Sequence, residues 1–410
     1  MDIPGLPARK GALRLIDAVL NRGETLDQAA HNALQGVHGQ ADKALARALA
    51  GETMRWLTDL DAMIDSATRL VLASDAKVRS VLRLMLAGWL RLDTPPHAVI
   101  ATALPLLTGG PRRLAHGVFS TLVKQAVTLP DAPSLPAAVI TRWGDRAAAI
   151  AAGLAVPPPL DLVLRDPAQT DRWAQQLGGM SLLPGHIRLS RGTAVEKLAG
   201  SEEGAGWVQD LAACLPAQLL GRGGGRTVLD LCAAPGGKTL QLAAAGWQVT
   251  ALDASERRLE RVTQNLARTG LSAELVAADA LEWEAAEQFD AVLLDAPCTA
   301  TGTARRHPDV LHRIGPRHIA EMAELQAALL TRAVGWVKPG GMLVYAVCSL
   351  EPEEGAAQAA AVRFTPEPVR SDELPAGLLP SADGWLRTDP GMLTGAGGLD
   401  GFFVARWRNG

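Results

Sequence analysis

From residue 226 onward, short apolar runs that end in an acidic residue or a cysteine alternate with longer amphipathic stretches. The runs are Thr227–Leu231, 249–253, 274–278, 291–295 and 342–347, and helical periodicity fills 255–269 and 317–337 between them. Strands separated by helices line up in parallel through crossovers, which predicts a doubly wound α/β sheet. Ser255 is placed to cap the helix it opens. The run 401–407 reads as a last strand, and 385–387 can pair with it antiparallel. In such a sheet, residues just past the carboxyl ends of the strands line the ligand crevice, so the chemistry is sought there.

At 410 residues the chain exceeds one ordinary domain. Leu13, Leu15, Ile16, Val19 and Leu20, then Leu45, Leu49, Met54, Leu57 and Leu60, recur at helical spacing and mark 8–128 as all helix. A Pro-, Ala- and Ser-rich linker covers 128–136. The stretch 137–225 mixes a rigid turn at Pro157-Pro158-Pro159, strand-like Leu160–Leu164 and His186–Leu189, and a short helix at 171–177. The expected domains are therefore helical 1–135, an α+β adaptor 136–225 and an α/β domain 226–410.

No apolar run is long enough to span a bilayer, and the N-terminus lacks the basic and apolar regions of a signal peptide. A cytoplasmic, monomeric protein without a membrane partner is expected. Cys214, Cys232, Cys298 and Cys348 form no CxxC pair, so neither zinc nor a disulfide framework is expected. Net charge is −3, yet residues 1–135 carry 15 basic against 12 acidic side chains, so any phosphate-binding bias lies there. An ordinary solvated surface explains the same balance equally well.

The segment from Asp230 to Thr239, Asp-Leu-Cys-Ala-Ala-Pro-Gly-Gly-Lys-Thr, follows a strand and opens a helix. Small residues let the backbone approach a ligand at the helix N-terminus. The loop fits neither GxGxxG nor GxxxxGK[ST], which disfavours ATP; a tight strand–helix turn is the plain alternative. Asp253 ends the second strand, where an acid commonly accepts from ribose hydroxyls. Asp279 ends the third and is placed for an adenine amine. Three acids at successive strand ends, Asp230 included, favour a nucleoside and repel a phosphate. S-adenosyl-L-methionine, an adenosine with a sulfonium cation, fits best. The candidate cofactor residues are Cys232, Ala233, Ala234, Pro235, Gly236, Gly237, Lys238, Asp253, Arg258, Asp279 and Asp295.

Cys298 lies in Asp295-Ala296-Pro297-Cys298 and Cys348 in Val347-Cys348-Ser349, each just past an apolar run. An isolated cysteine is more often a small buried residue. Two thiols beside an acid point instead to covalent chemistry on an electron-poor ring. C5 of a pyrimidine is a poor nucleophile until a thiolate adds at C6 and makes the ring an enamine. Asp295 can hold N3 and the exocyclic amine, and the base must leave its stack to arrive. Arg305 and Arg306 are placed to hold phosphates. At this level the two thiols are equivalent.

On these motifs the chain resembles the NOL1/NOP2/Sun family of RNA cytosine-C5 methyltransferases over nearly its full length, and within it the bacterial 16S rRNA small-subunit (Sun/Fmu) branch. The segments carrying the resemblance are Leu229 to Thr239, Asp295 to Cys298 with Thr301-Gly302 and Arg305 to Asp309, Cys348-Ser349 with Pro352-Glu353-Glu354, and Gly401-Phe402-Phe403. Trp207-Val208-Gln209-Asp210 is similar to the family's segment before the methyl-donor loop. Asp42 to Leu45 and Pro95 to Ala98 resemble a NusB-like RNA-binding domain. The resemblance implies a Rossmann-like class I methyltransferase domain with an N-terminal all-α NusB-like domain and a small α+β adaptor. It also implies S-adenosyl-L-methionine as cofactor and 16S rRNA as partner. It separates the thiols: Cys348 attacks C6 and Cys298 assists product release. The family's usual Thr before the nucleophile is Val347 here, and its Arg-Ile-Asn is absent near Leu160–Leu164. A tRNA cytosine-C5 methyltransferase would use the same site. An inactive RNA-binding assembly factor would not need Asp295, Cys298 and Cys348 intact.

Overall fold

The helical periodicity of the first third is realised as α1 (Leu6–Arg22), α2 (Leu26–Ala33), α3 (Gln40–Arg55), α4 (Leu57–Ser66), α5 (Lys77–Arg91), α6 (Pro96–Ala103) and α7 (Gly109–Lys124). The computed structural model describes residues 3–193, 200 and 203–410. Local signals set the helix ends. Thr25 and Gln28 form a reciprocal capping box on α2, and Gly23 closes α1 in the left-handed region. One apolar stripe packs Leu15, Ile16 and Val19 with Leu49 and Met54; a second gathers Trp56, Leu82, Met85 and Phe119. Asp61 accepts from both Arg79 and Arg83, so these largely buried guanidiniums are paired rather than orphaned.

After a non-helical stretch come α8 (Ala137–Trp143) and α9 (Ala147–Leu154). By contacts the helical unit comprises Met1–Val156 together with Ala304–Ile314, a segment distant in sequence. That segment contains the short helix Val310–Arg313. Its anchors are side chains of the unit: Arg55 donates to the Arg305 carbonyl at 2.9 Å, and His312 Nε2 donates to the Met54 carbonyl at 2.7 Å. Arg305 is 2% exposed, so the expectation that it holds phosphates fails.

The second unit, Pro157–Thr303 with Gly315–Gly410, holds two sheets. In the adaptor, β1 (Leu160–Leu164) lies between β2 (His186–Leu189) and β3 (Gly206–Val208), all antiparallel, with α10 (Thr170–Leu177) alongside. Asp161 on β1, buried and bound bidentately by Arg188, sits where the family motif is missing.

The main sheet begins after α11 (Leu211–Gln218). Its elements are β4 (Thr227–Leu231), α12 (Gly237–Ala244), β5 (Gln248–Asp253), α13 (Glu256–Thr269), β6 (Glu274–Ala277), β7 (Phe289–Asp295), α14 (Pro316–Gly335), β8 (Val337–Val347), β9 (Thr365–Pro366), β10 (Leu386–Thr388) and β11 (Phe402–Arg408). The order is β10-β11-β8-β7-β4-β5-β6, with β9 on β11. Strands β4 to β8 pair in parallel, and β11 and β10 run antiparallel at one side, as expected from 385–387. This is the Rossmann-like sheet. The chain order reverses between β4 and β7, which opens the crevice above their carboxyl ends. Val347 is fully buried with Leu229, Tyr345 and Phe403, so the apolar side chain in place of Thr matches its surroundings. Among the described residues, no helix is long and apolar enough to cross a membrane.

Candidate active site

The loop between β4 and α12 is built around backbone that few residues tolerate. Cys232 has φ 60, and Gly236 has φ 101, where only glycine sits without strain. A β-carbon on Gly236 would stand 3.0 Å from the Val262 side chain, and one on Gly237 3.1 Å from the Gln209 side-chain Oε1. The glycines thus keep a cradle open at the N-terminus of α12. Asp253 holds the loop: its Oδ2 accepts the Ala234 N–H at 3.1 Å, and its Oδ1 accepts the Ser255 N–H at 3.0 Å. Arg258 lies 3.6 Å from the same carboxylate and donates to the Ala234 carbonyl. Asp279 lies two residues beyond the end of β6 and is exposed. The donor set is acidic, with backbone N–H groups and small side chains, and suits adenosine better than phosphate.

Asp230 departs from the expectation. It is fully buried, and its Oδ2 accepts from the Thr239 hydroxyl at 2.6 Å, so it braces the loop from beneath instead of facing a ligand. One residue earlier than the last position of β4, it points to the opposite face from Leu231. Burial pushes its carboxyl up to about 7. Burial likewise pushes the Cys232 thiol up to about 12, with Asp295 and Asp253 adding to it.

Lys238, in the first turn of α12, reaches across to Asp295 at the end of β7, Nζ to Oδ2 2.7 Å. Burial alone would lower the ammonium, but Asp295 first and then Cys348 reverse this, and the net shift is upward. Lys238 also stands 5.3 Å from the centre of the Phe402 ring. Together with Trp207, Gln209, Ala233 and Pro235, Lys238 and Asp295 line a cavity of about 470 Å³.

The register Asp295↔Ala346 brings the ends of β7 and β8 level. Cys298 follows the first by three residues and Cys348 follows the second by two, and their sulfurs lie 3.4 Å apart. The contact with Cys348, then burial, then the charge of Glu354 hold the Cys298 thiol well above its ordinary range. Either sulfur can donate in the S–H···S contact. The loops are further joined where the Gly302 N–H donates to the Cys348 carbonyl at 3.0 Å and the Leu350 N–H to the Thr301 hydroxyl at 3.0 Å.

Sequence reasoning singled out both thiols, Asp295 and Lys238, and the fold brings these four together. It named Ser349 and Glu354 only as parts of a motif, gave Thr299 no role and passed over Gln326; in the fold Thr299, Gln326 and Ser349 surround Glu354 near the thiols. Their only signal is an acid and hydroxyl residues close to each cysteine, a pattern that acquires meaning once β7 and β8 are neighbours. Among the described residues, no group of three or more His, Cys, Asp or Glu side chains could hold a metal ion.

Residues 217–408 match the family model described as 16S rRNA methyltransferase RsmB/F, and residues 6–108 match that of the NusB family. Ribosomal RNA small subunit methyltransferase B of Klebsiella pneumoniae is 34% identical over an alignment 430 positions long, which spans 97% of this chain and 97% of that protein. The solved structure of PH0851 shares the fold over 99% of both chains, with a TM-score of 0.72 at 22% identity. A methyltransferase homolog protein from Pyrococcus horikoshii, 26% identical with a TM-score of 0.56, covers 66% of this chain and 93% of its own.

Proposed function

From the premise that the chain belongs to the 16S rRNA methyltransferase RsmB/F family, within the NOL1/NOP2/Sun group, we propose that it methylates C5 of a cytosine in 16S rRNA through a covalent adduct with Cys348. The observation that carries this reading is the pair of thiols 3.4 Å apart, on loops that follow neighbouring parallel strands, with the Lys238–Asp295 ion pair at the end of one of those strands. When bound, S-adenosyl-L-methionine supplies an electrophilic methyl group on a sulfonium. The candidate residues for holding it are Cys232 to Lys238, Asp253, Arg258, Asp279 and Asp295, with the glycine cradle leaving the room.

Cys348 sulfur bonds to C6 as the C5–C6 π pair moves to C5 and into the ring system that Asp295 holds at N3 and the exocyclic amine. C5 would then take the methyl group as the sulfonium–methyl bond breaks, its electron pair staying on the sulfur to leave a neutral thioether. Loss of the C5 proton to a base re-forms the C5–C6 double bond and expels the Cys348 thiolate. Cys298, whose sulfur lies 3.4 Å from that of Cys348, stands where it can assist the departure. Positioning of this kind accounts for a large share of a two-substrate reaction's acceleration. The mildly basic 1–135 segment supplies sequence-independent contacts to the RNA backbone.

The test is incubation of wild type, Cys298→Ala and Cys348→Ala with 16S rRNA and labelled methyl donor. Cys298→Ala should accumulate a protein–RNA adduct that survives denaturation, and Cys348→Ala should form none. An adduct on Cys348→Ala would reverse the two roles. Methylation of tRNA but not of 16S rRNA by wild type would move the substrate assignment. No methylation of either would favour a non-catalytic assembly factor.

A further inference from the structure

Glu354 is fully buried, yet it lies between the two thiol-bearing loops. Its Oε2 accepts the Thr299 N–H at 2.8 Å and the Gln326 amide at 2.9 Å. Its Oε1 accepts the Ser349 hydroxyl at 2.7 Å and also the Thr299 hydroxyl. Thr299 directly follows Cys298, and Ser349 directly follows Cys348. Gln326 is on α14, and its amide also donates to the Pro297 carbonyl at 2.8 Å. The Glu354 backbone is fixed as well, since the Tyr345 hydroxyl donates to its carbonyl at 2.6 Å.

A carboxylate has about four acceptor sites, and here four donor groups occupy them. A buried carboxylate missing some of these donors would be poorly tolerated, so the donors must converge on it. Two of the donor residues are the immediate neighbours of the two cysteines. Their convergence therefore fixes how far apart the sulfurs stand.

We propose that Glu354 is a positioning residue for methyl transfer: it clamps the loops of Cys298 and Cys348 so that one sulfur can attack while the other stands beside it. This rests on the covalent mechanism proposed above. Glu354 acts on the two sulfurs through Thr299 and Ser349.

The test uses full-length wild type, Glu354→Gln and Thr299→Val. Glu354→Gln keeps the shape but turns an acceptor oxygen into an N–H₂ facing donors. Thr299→Val removes one hydroxyl and keeps the N–H. Two quantities are measured: single-turnover methyl transfer to 16S rRNA, and the rate at which an azo oxidant closes the Cys298–Cys348 disulfide in the absence of RNA, followed by peptide mapping. In the second reaction the two thiols lose two hydrogens, and the azo bond is reduced to a hydrazine.

Displacement of catalytic groups by about 1 Å costs on the order of 100-fold, so Glu354→Gln should slow methyl transfer by about that factor. Its KM for RNA and Kd for methyl donor should stay within about threefold, because the donor loop is held by Asp253 instead. Disulfide closure should slow in parallel, and Thr299→Val should fall between Glu354→Gln and wild type. Wild-type rates for both quantities in Glu354→Gln would overturn the clamp. So would unchanged disulfide closure in Thr299→Val, should Glu354→Gln fail to fold. A wild type that does not methylate, with disulfide closure still slowed in the variants, would remove the proposed reaction and leave the clamp standing.

Discussion

Asp230 shows how one buried carboxyl couples the methyl-donor loop to pH. Burial raises its pKa to about 7 from an ordinary 3.8. A raised acid pKa means that between about pH 4 and 7 the folded protein retains a proton the unfolded chain has released. Its contribution to stability is full below the unfolded value and declines as pH rises through the folded one. Asp230→Asn is a neutral isostere that still accepts from Thr239, so it should remove this dependence. Comparing urea unfolding at pH 5 and pH 8, wild type should lose ~2–4 kcal/mol more than Asp230→Asn over that interval. Equal losses in the two proteins would show that Asp230 ionises freely in the fold. The acid was visible in the sequence as one of three at strand ends, but its orientation was not. An acid on the last strand residue faces the crevice, whereas one a single position earlier faces the core. The strand end at Leu231 was itself legible; what a linear pattern does not display is the Thr239 hydroxyl, nine residues on, that engages Asp230 from beneath.

At the level of elements, the strands and helices of the α/β sheet were legible because each apolar run is bounded by turn chemistry or an amphipathic helix. The joining of the two catalytic loops was not, because it depends on the pairing of β7 with β8, which are separated by α14 and, between Ala304 and Ile314, by a segment of the helical unit. Gly302 makes this joining testable. A β-carbon there would stand 2.0 Å from the Gly401 carbonyl oxygen and 2.9 Å from the Cys348 carbonyl oxygen. Both obstacles are backbone and cannot rotate away. Gly302→Ala should therefore push the Pro-Cys loop off the end of β8 and lower stability by about 1–3 kcal/mol, as overpacking does elsewhere. Gly335→Ala meets nothing within 4 Å and serves as the control, with a neutral or slightly stabilising effect expected of a helical Gly→Ala change. Thermal unfolding of the two variants decides the matter, and equal melting temperatures would mean that the loops are free to separate.

The chain as a whole is not a simple series of beads. A reading by composition cuts it into consecutive domains, because linkers and changes of periodicity are all that a linear pattern displays. The contacts instead give residues Ala304–Ile314 to the helical unit, immediately after the Pro-Cys loop. The reason lies in side chains far apart in sequence. Arg55 is 5% exposed and donates to the carbonyls of Leu154 at 2.8 Å and Arg305 at 2.9 Å, while Glu52 pairs with both Arg55 and Arg91. Val310 and Leu311 are buried too. A fragment of residues 1–156 would leave a donor of Arg55 and the Met54 carbonyl without these partners. Losing a hydrogen bond to a charged group costs about 1.5–3 kcal/mol, and in a unit of this size each kcal/mol moves the melting temperature by roughly 2–4 °C. The 1–156 fragment carrying residues 304–314 on a flexible linker should thus melt at least ~3 °C above the fragment alone, by circular dichroism. Arg55→Met in the linked fragment should remove most of that gain. If the linked segment leaves melting unchanged, residues 304–314 contribute nothing to the helical unit's stability, and its fold would be complete at residue 156.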